Sequence, residues 1–404
     1  MSTIPHAGDP YLSGLVANFQ LSLKHPVYGL DVSRVLASFD IPALESKAAR
    51  VFVLTFEDGT DVITRLARSA FNDNAEFTED DLARGFLSEV ATLGFVKQHT
   101  SIPVPEVYHA EANARNPVDA RYIIMERISG HPLGTTWFNM SLQQRQQLVI
   151  QLADMETELL NIRFPAIGCL IDASGTVVPL GPSSTYPFAI RSPYNGPFVT
   201  SKEFFVAHAR SELDLLTKTP EEWTKQRAFW SNINGGFDDI SASYAIQWFQ
   251  LDGFNALAPE EFEPQHFALF HDDFDMKNIL VSDSGTIVGI IDWEGSRICP
   301  LWNNSRYSAF LRDPRALDDD NEVASLRQLQ KEIIERKTGN KYPGSSSMRL
   351  GALLYMVDYT HSVRSSRATL DNLFLAWFNV ITIGYMKELK PFLPLKHFIE
   401  GKTG

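Results

Sequence analysis

The run His271-Asp272-Asp273-Phe274-Asp275-Met276-Lys277-Asn278 leads into two β-branched stretches, Ile279–Val281 and Ile287–Ile291, and ends on Asp292-Trp293-Glu294. Between those stretches lies Ser282-Asp283-Ser284-Gly285, which is turn chemistry, so the spacing predicts a β-hairpin. That hairpin constrains everything around it. It returns Asp292 to the side of Asn278, where a carboxylate and an amide present two hard oxygens to a cation such as Mg²⁺. Asp273 lies on the loop entering the hairpin, five residues ahead of Asn278. Phosphoryl transfer needs one acid to orient a hydroxyl and a second acid, with an amide, to hold metal on nucleotide phosphates. The competing reading makes Asp273, Asn278 and Asp292 turn residues only.

A chain of 404 residues is long enough for two subdomains with their own cores, and 44% hydrophobic content suits a globular protein. Its formal net charge of −13 argues against nucleic acid as a partner, because that binding needs a basic footprint. Cys169 and Cys299 form neither a disulfide framework nor a zinc pattern. The opening Met1-Ser2-Thr3-Ile4-Pro5-His6 lacks the features of a secretory signal. The longest apolar stretch, 373–386, is broken by Asn379, Thr382 and Gly384 and is too short to cross a bilayer. These features lead us to expect a cytoplasmic protein that does not engage membranes, monomeric or weakly dimeric.

Residues 1–40 read as weakly patterned helix. Ala49–Phe56 and Asp61–Leu66 flank Glu57-Asp58-Gly59-Thr60 as a hairpin, with Arg65 among the apolar residues of its second strand. Thr78 caps a helix whose Leu82, Phe86, Val90 and Leu93 recur at helical spacing, and Glu89 lies beside that stripe. Tyr122–Glu126 is a further strand, broken by Ser129-Gly130-His131-Pro132. The break divides the chain into a small β-rich lobe, residues 1–128, and a larger helical lobe, residues 129–404. In the second lobe the pattern predicts helices over 142–160, 201–217 and 241–250, a hairpin over 168–181, and tail helices near 321–337, 346–366 and 369–388.

The phrases Phe267-Ala268-Leu269-Phe270-His271 through Val281, and Gly289-Ile290-Ile291-Asp292-Trp293-Glu294 through Pro300, resemble the catalytic segment of the aminoglycoside phosphotransferase family, and its fungal members in particular. The resemblance runs from about residue 45 to about residue 310. It implies an α+β, two-lobe protein-kinase-like fold and an ATP- and Mg²⁺-dependent transfer of phosphate to a hydroxyl of a small molecule. Under it Asp273 is the catalytic base, His271 braces the loop, and Asn278 and Asp292 bind the metal. Arg65 stands where this fold usually places a lysine against the nucleotide phosphates, and Glu89 matches that lysine's ion-pair partner. Arginine offers a planar fork instead of a compact charge.

Two places depart from the family pattern. The lid before the first strands reads Pro42-Ala43-Leu44-Glu45-Ser46-Lys47-Ala48-Ala49, without glycine, so Ser46 and Lys47 are the candidates for meeting phosphate. Asp272 replaces a frequent glycine and reads as a solvent-facing side chain. The strand at Met125 and Glu126 is expected to offer backbone groups to adenine, with Val53, Ile63, Met125 and Ile291 forming the apolar slot. Trp248, Trp302, Tyr307 and Asp358 are acceptor-site candidates by location, whereas Asp318-Asp319-Asp320 reads as a solvated run. Ala258-Pro259-Glu260 and Asp252-Gly253-Phe254 spell protein-kinase motifs but precede the catalytic loop, which argues against a protein kinase. The alternative function is a nucleotide- or metabolite-binding pseudokinase, or a kinase-like enzyme recruited to specialised-metabolite biosynthesis.

Overall fold

A computed structural model describes residues 16–20, 51–56, 59–67, 79–116, 120–181, 193–218, 221, 248, 251–252, 267–271, 273–301, 311 and 320–339. The chain divides into two compact units. One comprises Met1–Val199 and Pro264–Pro343, the other Thr200–Glu263 and Gly344–Gly404. The fold is α+β.

The first unit opens on a five-stranded sheet of β1 (Val16–Gln20), β2 (Val51–Thr55), β3 (Asp61–Leu66), β4 (Val107–Glu111) and β5 (Tyr122–Glu126), in the order β1-β2-β3-β5-β4. The expected hairpin is β2–β3, with Val51 opposite Arg65 and Thr55 opposite Asp61. β1 corrects the reading of residues 1–40 as helix: Val16–Gln20 runs parallel to β2. The physical reason is that β2 would otherwise present an unpaired edge, whose backbone groups a neighbouring strand satisfies.

Helix α1 (Glu79–His99) has Glu79, Asp80 and Asp81 in its first turn and Lys97 and His99 in its last, the order its dipole favours. It lays Phe86, with Leu87 and Val90 beside it, against Val53, Ile63, Ile123 and Met125 of the sheet. A short strand, β6 (His131–Pro132), forms at the predicted break. Helix α2 (Leu142–Asn161) starts at Ser141, whose hydroxyl accepts from the Gln144 backbone N–H while Gln144 returns a bond to the Ser141 N–H. β7 (Cys169–Leu170) and β8 (Val177–Val178) form the expected hairpin.

β9 (Phe267–Phe270), β10 (Ile279–Val281), β11 (Ile287–Ile290) and β12 (Arg297–Pro300) surround the His271–Glu294 segment. β10 is the middle strand between β11 and β6, and β12 pairs with β9. Ile279, Leu280, Val281 and Ile290 are buried, which is what a continuous apolar run covered on both faces requires.

A later helix of this unit, Asp320–Thr338, packs Ile333 and Ile334 against Ala153 of α2, and Arg145 pairs with Glu322 at 2.6 Å. In the second unit, α3 (Ser201–Lys218) is capped by Thr200, whose hydroxyl accepts from the Glu203 N–H, and it buries Phe204, Phe205, Ala209 and Leu216. In chain order the Asp320–Thr338 helix is α4. The helices expected over 241–250, 346–366 and 369–388 lie largely or wholly outside the described residues.

Leu280→Ala should lower the unfolding free energy by about 2–5 kcal/mol, because the cavity opens in a strand closed on both sides. Urea denaturation measures it, and a cost below about 1 kcal/mol would mean that β10 is not the buried centre of this sheet.

Candidate active site

The β10–β11 register sets the site. Ile279 stands opposite Ile290, and the Ile291 N–H donates to the Asn278 carbonyl at 3.0 Å. The turn closes through Gly285 N–H to Ser282 O at 2.9 Å and Ser282 N–H to Thr286 O at 2.9 Å. Asn278 and the residue before Asp292 are therefore bonded neighbours, as the turn chemistry predicted. Asp292 itself has φ of 63°, in the left-handed region that a non-glycine residue enters only when its surroundings hold it there. No hydrogen bond from a described residue occupies its carboxylate.

Asn278 is buried, and its amide nitrogen donates to the Asp273 carbonyl at 2.8 Å and to Asp273 Oδ2 at 3.2 Å. The backbone repeats this fastening, with Asp275 N–H on Asp273 O and Asn278 N–H on Asp275 O, both 2.9 Å. Lys277 Nζ also meets Asp273 Oδ2, at 2.7 Å. Two donors thus hold Oδ2, and Asp273 Oδ1 accepts nothing from a described residue.

His271 acts as a strut. Its Nε2 donates to the Ile291 carbonyl at 2.9 Å, and its ring stands edge-on to Trp293 at 4.7 Å between centroids. Trp293 is buried and donates from Nε1 to the Ile290 carbonyl at 3.0 Å. The two rings bond the carbonyls of Ile290 and Ile291, just before Asp292, and tie that backbone to the start of the loop at His271.

Arg65 and Glu89 meet as the sequence led us to expect: Arg65 Nη2 bonds Glu89 Oε2. Arg65 Nη1 reaches Glu294 Oε2 at 3.2 Å, a partner the sequence reading did not assign. The signal was present, since Glu294 follows Asp292 by two residues and the hairpin carries both to the same place. Burial alone would lower the Arg65 pKa. The Coulomb field of Glu89, Glu294 and Asp292 outweighs it and holds the guanidinium above its ordinary value. Burial pushes the Glu89 carboxyl up to about 7; Arg65 opposes that rise, while Glu294 and Asp292 add to it. One guanidinium therefore faces three carboxylates.

Of the nucleotide-site candidates, Val53, Ile63 and Met125 share one buried cluster on the α1 side of the sheet. Ile291 is half-buried and belongs to the hairpin. Glu126 is committed to Glu106: its N–H donates to the Glu106 carbonyl at 2.8 Å and its Oε2 accepts from the Glu106 N–H at 3.1 Å. Ser46, Lys47, Asp272, Trp302, Tyr307 and Asp358 lie outside the described residues, and Trp248 is half-exposed in the second unit.

Asn278 and Asp292 fit a hard divalent cation. The amide nitrogen of Asn278 is given to Asp273, which leaves its oxygen for a cation, and among the described residues no hydrogen bond reaches the Asp292 carboxylate. Among the described residues no group of three or more His, Cys, Asp or Glu side chains is arranged to hold a metal. Phosphate and water oxygens would have to complete the shell, which is how Mg²⁺ is usually bound at nucleotide sites.

The sequence model of the phosphotransferase enzyme family, the aminoglycoside phosphotransferases, matches residues 40–303. The chain belongs to this family. It is 28% identical over 322 residues to a subtelomeric hrmA-associated cluster protein of Aspergillus fumigatus, covering 69% of this chain and 61% of that protein. It is 22% identical over 366 residues to the Eremothecium gossypii protein named altered inheritance of mitochondria protein 9, mitochondrial, covering 76% of this chain and 57% of that one. The chain thus spans about three-fifths of the length of these curated relatives. Among solved structures, ADP-bound aminoglycoside phosphotransferase APH(2'')-Ib is similar at a TM-score of 0.44 and 14% identity, over 84% of this chain and 98% of that one.

The raised Glu89 pKa gives a pH test. Its contribution to stability is complete below the ordinary carboxylate value of 4.5 and is lost as pH rises through about 7. Glu89→Gln removes that slope. The stability of wild type relative to Glu89→Gln should fall by about 1–3 kcal/mol between pH 5 and pH 7.5, measured by urea unfolding. A flat or rising difference would contradict the shared-carboxylate arrangement.

Proposed function

We propose that this protein transfers the γ-phosphoryl group of ATP to a hydroxyl of a small molecule. The observation that carries the reading is the fastening of Asp273, Asn278 and Asp292 by one loop and one hairpin register. Asp273 Oδ2 is held by Asn278 and Lys277, so Oδ1 is the oxygen left to accept a hydrogen bond from the acceptor hydroxyl. As the acceptor oxygen bonds to the γ-phosphorus, the bond to the β-bridging oxygen breaks with its electron pair leaving on ADP. The hydroxyl proton passes to Asp273 late in that step. Asn278 Oδ1 and Asp292 would hold Mg²⁺, which supplies charge neutralisation on the phosphates. Arg65, steadied by Glu89 and Glu294, faces the nucleotide from β3. His271 positions the loop and takes no part in the proton transfer.

The lobe boundary after residue 128, the adenine contact at Met125 and Glu126, phosphate contacts from Ser46 and Lys47, and a cytoplasmic location all belong to this proposal. No helix among the described residues is long and apolar enough to cross a membrane. The binding of Arg65 by two carboxylates favours a second reading, a nucleotide-binding module without turnover.

Asp273→Asn should lower phosphoryl transfer by about 10²–10⁴-fold while leaving Mg-ATP binding within a few-fold of wild type. An ADP-coupled screen over hydroxylated metabolites, with a fluorescent ATP analogue for binding, measures both. Full activity in this variant would remove Asp273 from the mechanism. Mg-ATP binding with no turnover on any acceptor would select the second reading.

A further inference from the structure

The helix that carries Glu89 is gripped from two sides. One face of α1 meets the five-stranded sheet through Phe86. Another meets the β7–β8 hairpin along more than two turns. A Cβ placed on Gly181 would fall 2.9 Å from both Cα and N of Gly85, so backbone lies on backbone there. Cys169, buried in the hairpin, donates to the Pro179 carbonyl at 3.1 Å and has the Ser88 side chain of α1 as a polar neighbour. A Cβ on Gly94 would stand 3.1 Å from the Ala173 Cβ, and one on Gly175 would stand 3.0 Å from the Phe95 ring. The hairpin is in turn tied to β12, where the Ile298 N–H donates to the Gly168 carbonyl at 2.8 Å. β12 begins three residues after Glu294. One small element therefore joins the helix bearing Glu89 to the strand that follows Asp292 and Glu294.

That link matters because Glu89 sits among opposed charges: Arg65 attracts it, while Glu294 and Asp292 repel it more weakly, in a place where burial strengthens each force. The placement of α1 therefore decides whether Glu89 meets Arg65.

We propose that the β7–β8 hairpin is a built-in brace that holds α1 with Glu89 engaged on Arg65, and that Gly181, Ala173 and Cys169 are its positioning residues. The Glu89 pair is then formed permanently, with no activating modification or partner needed to seat the helix. The consequence for nucleotide binding rests on the phosphotransferase reading above, whereas the bracing itself does not.

Gly181→Ala is the direct wedge, because its methyl must displace the α1 backbone or the hairpin. Gly94→Val wedges the same interface from the helix side and serves if the first variant fails to fold. Hydrogen–deuterium exchange on the full chain should show the amides of residues 86–93 exchanging about tenfold faster in the wedge variant, while those of 122–126 in β5 are unchanged. Affinity for Mg²⁺ with a fluorescent ATP analogue should fall about tenfold, and adding Glu89→Gln to the wedge should weaken it no further. Unchanged α1 exchange, exchange that rises equally in β5, or additive losses of affinity would overturn the brace. Faster α1 exchange in a protein whose wild type binds no nucleotide would uphold the brace and reject the phosphotransferase reading instead.

Discussion

The pairing of Ile279 with Ile290 is the contact on which the rest of the site depends. A strand register is a discrete choice, since a slip of one residue turns every side chain to the opposite face. Burial of Ile279, Leu280, Val281 and Ile290 makes that choice a strong one. Once it is made, Asn278 and Ile291 are bonded, and Asp292 must leave the strand next to Asn278 in a left-handed conformation. His271 and Trp293 then lock the loop to that corner from behind. The polar site is thus located by apolar packing, which is stronger and less sensitive to salt or pH than the charges it arranges.

Charge is the second constraint. Arg65, Glu89, Glu294 and Asp292 leave the cluster with more negative than positive charge. Burial raises Glu89, with Glu294 and Asp292 adding to the rise and Arg65 opposing it, and the attraction of the three carboxylates keeps Arg65 ionised. A divalent cation at Asn278 and Asp292 would redress that imbalance at the point where nucleotide phosphates would add more negative charge. An arginine at position 65 is intelligible in these terms. A guanidinium has two separate nitrogens to give to Glu89 and Glu294, whereas an ammonium is a single point charge.

Much of this was legible in the sequence because it is local. Turn residues at Ser282–Gly285 fix the hairpin, and spacing alone then places Asn278 against Asp292. The Arg65–Glu89 pair was readable by resemblance and needed no long-range geometry beyond a strand and the next helix. Glu294 was missed because its partner lies 229 residues away, and nothing local distinguishes a bridging glutamate from a surface one. The β1 strand was missed because five residues that pair only with a distant neighbour carry little periodicity of their own. The grip of the β7–β8 hairpin on α1 is likewise a matter of two glycines, Gly85 and Gly181, meeting across nearly a hundred residues of chain. Ser46 and Lys47 remain expectations from sequence.

The most direct measurement is a crystal structure of the full chain grown with Mn²⁺ and a non-hydrolysable ATP analogue, with anomalous scattering used to find the metal. The site built from Asn278 and Asp292 predicts a peak about 2.0–2.6 Å from both Asn278 Oδ1 and an Asp292 carboxylate oxygen, in contact with the nucleotide phosphates. A metal bound elsewhere, or a nucleotide seated with Asp292 away from its phosphates, would contradict it.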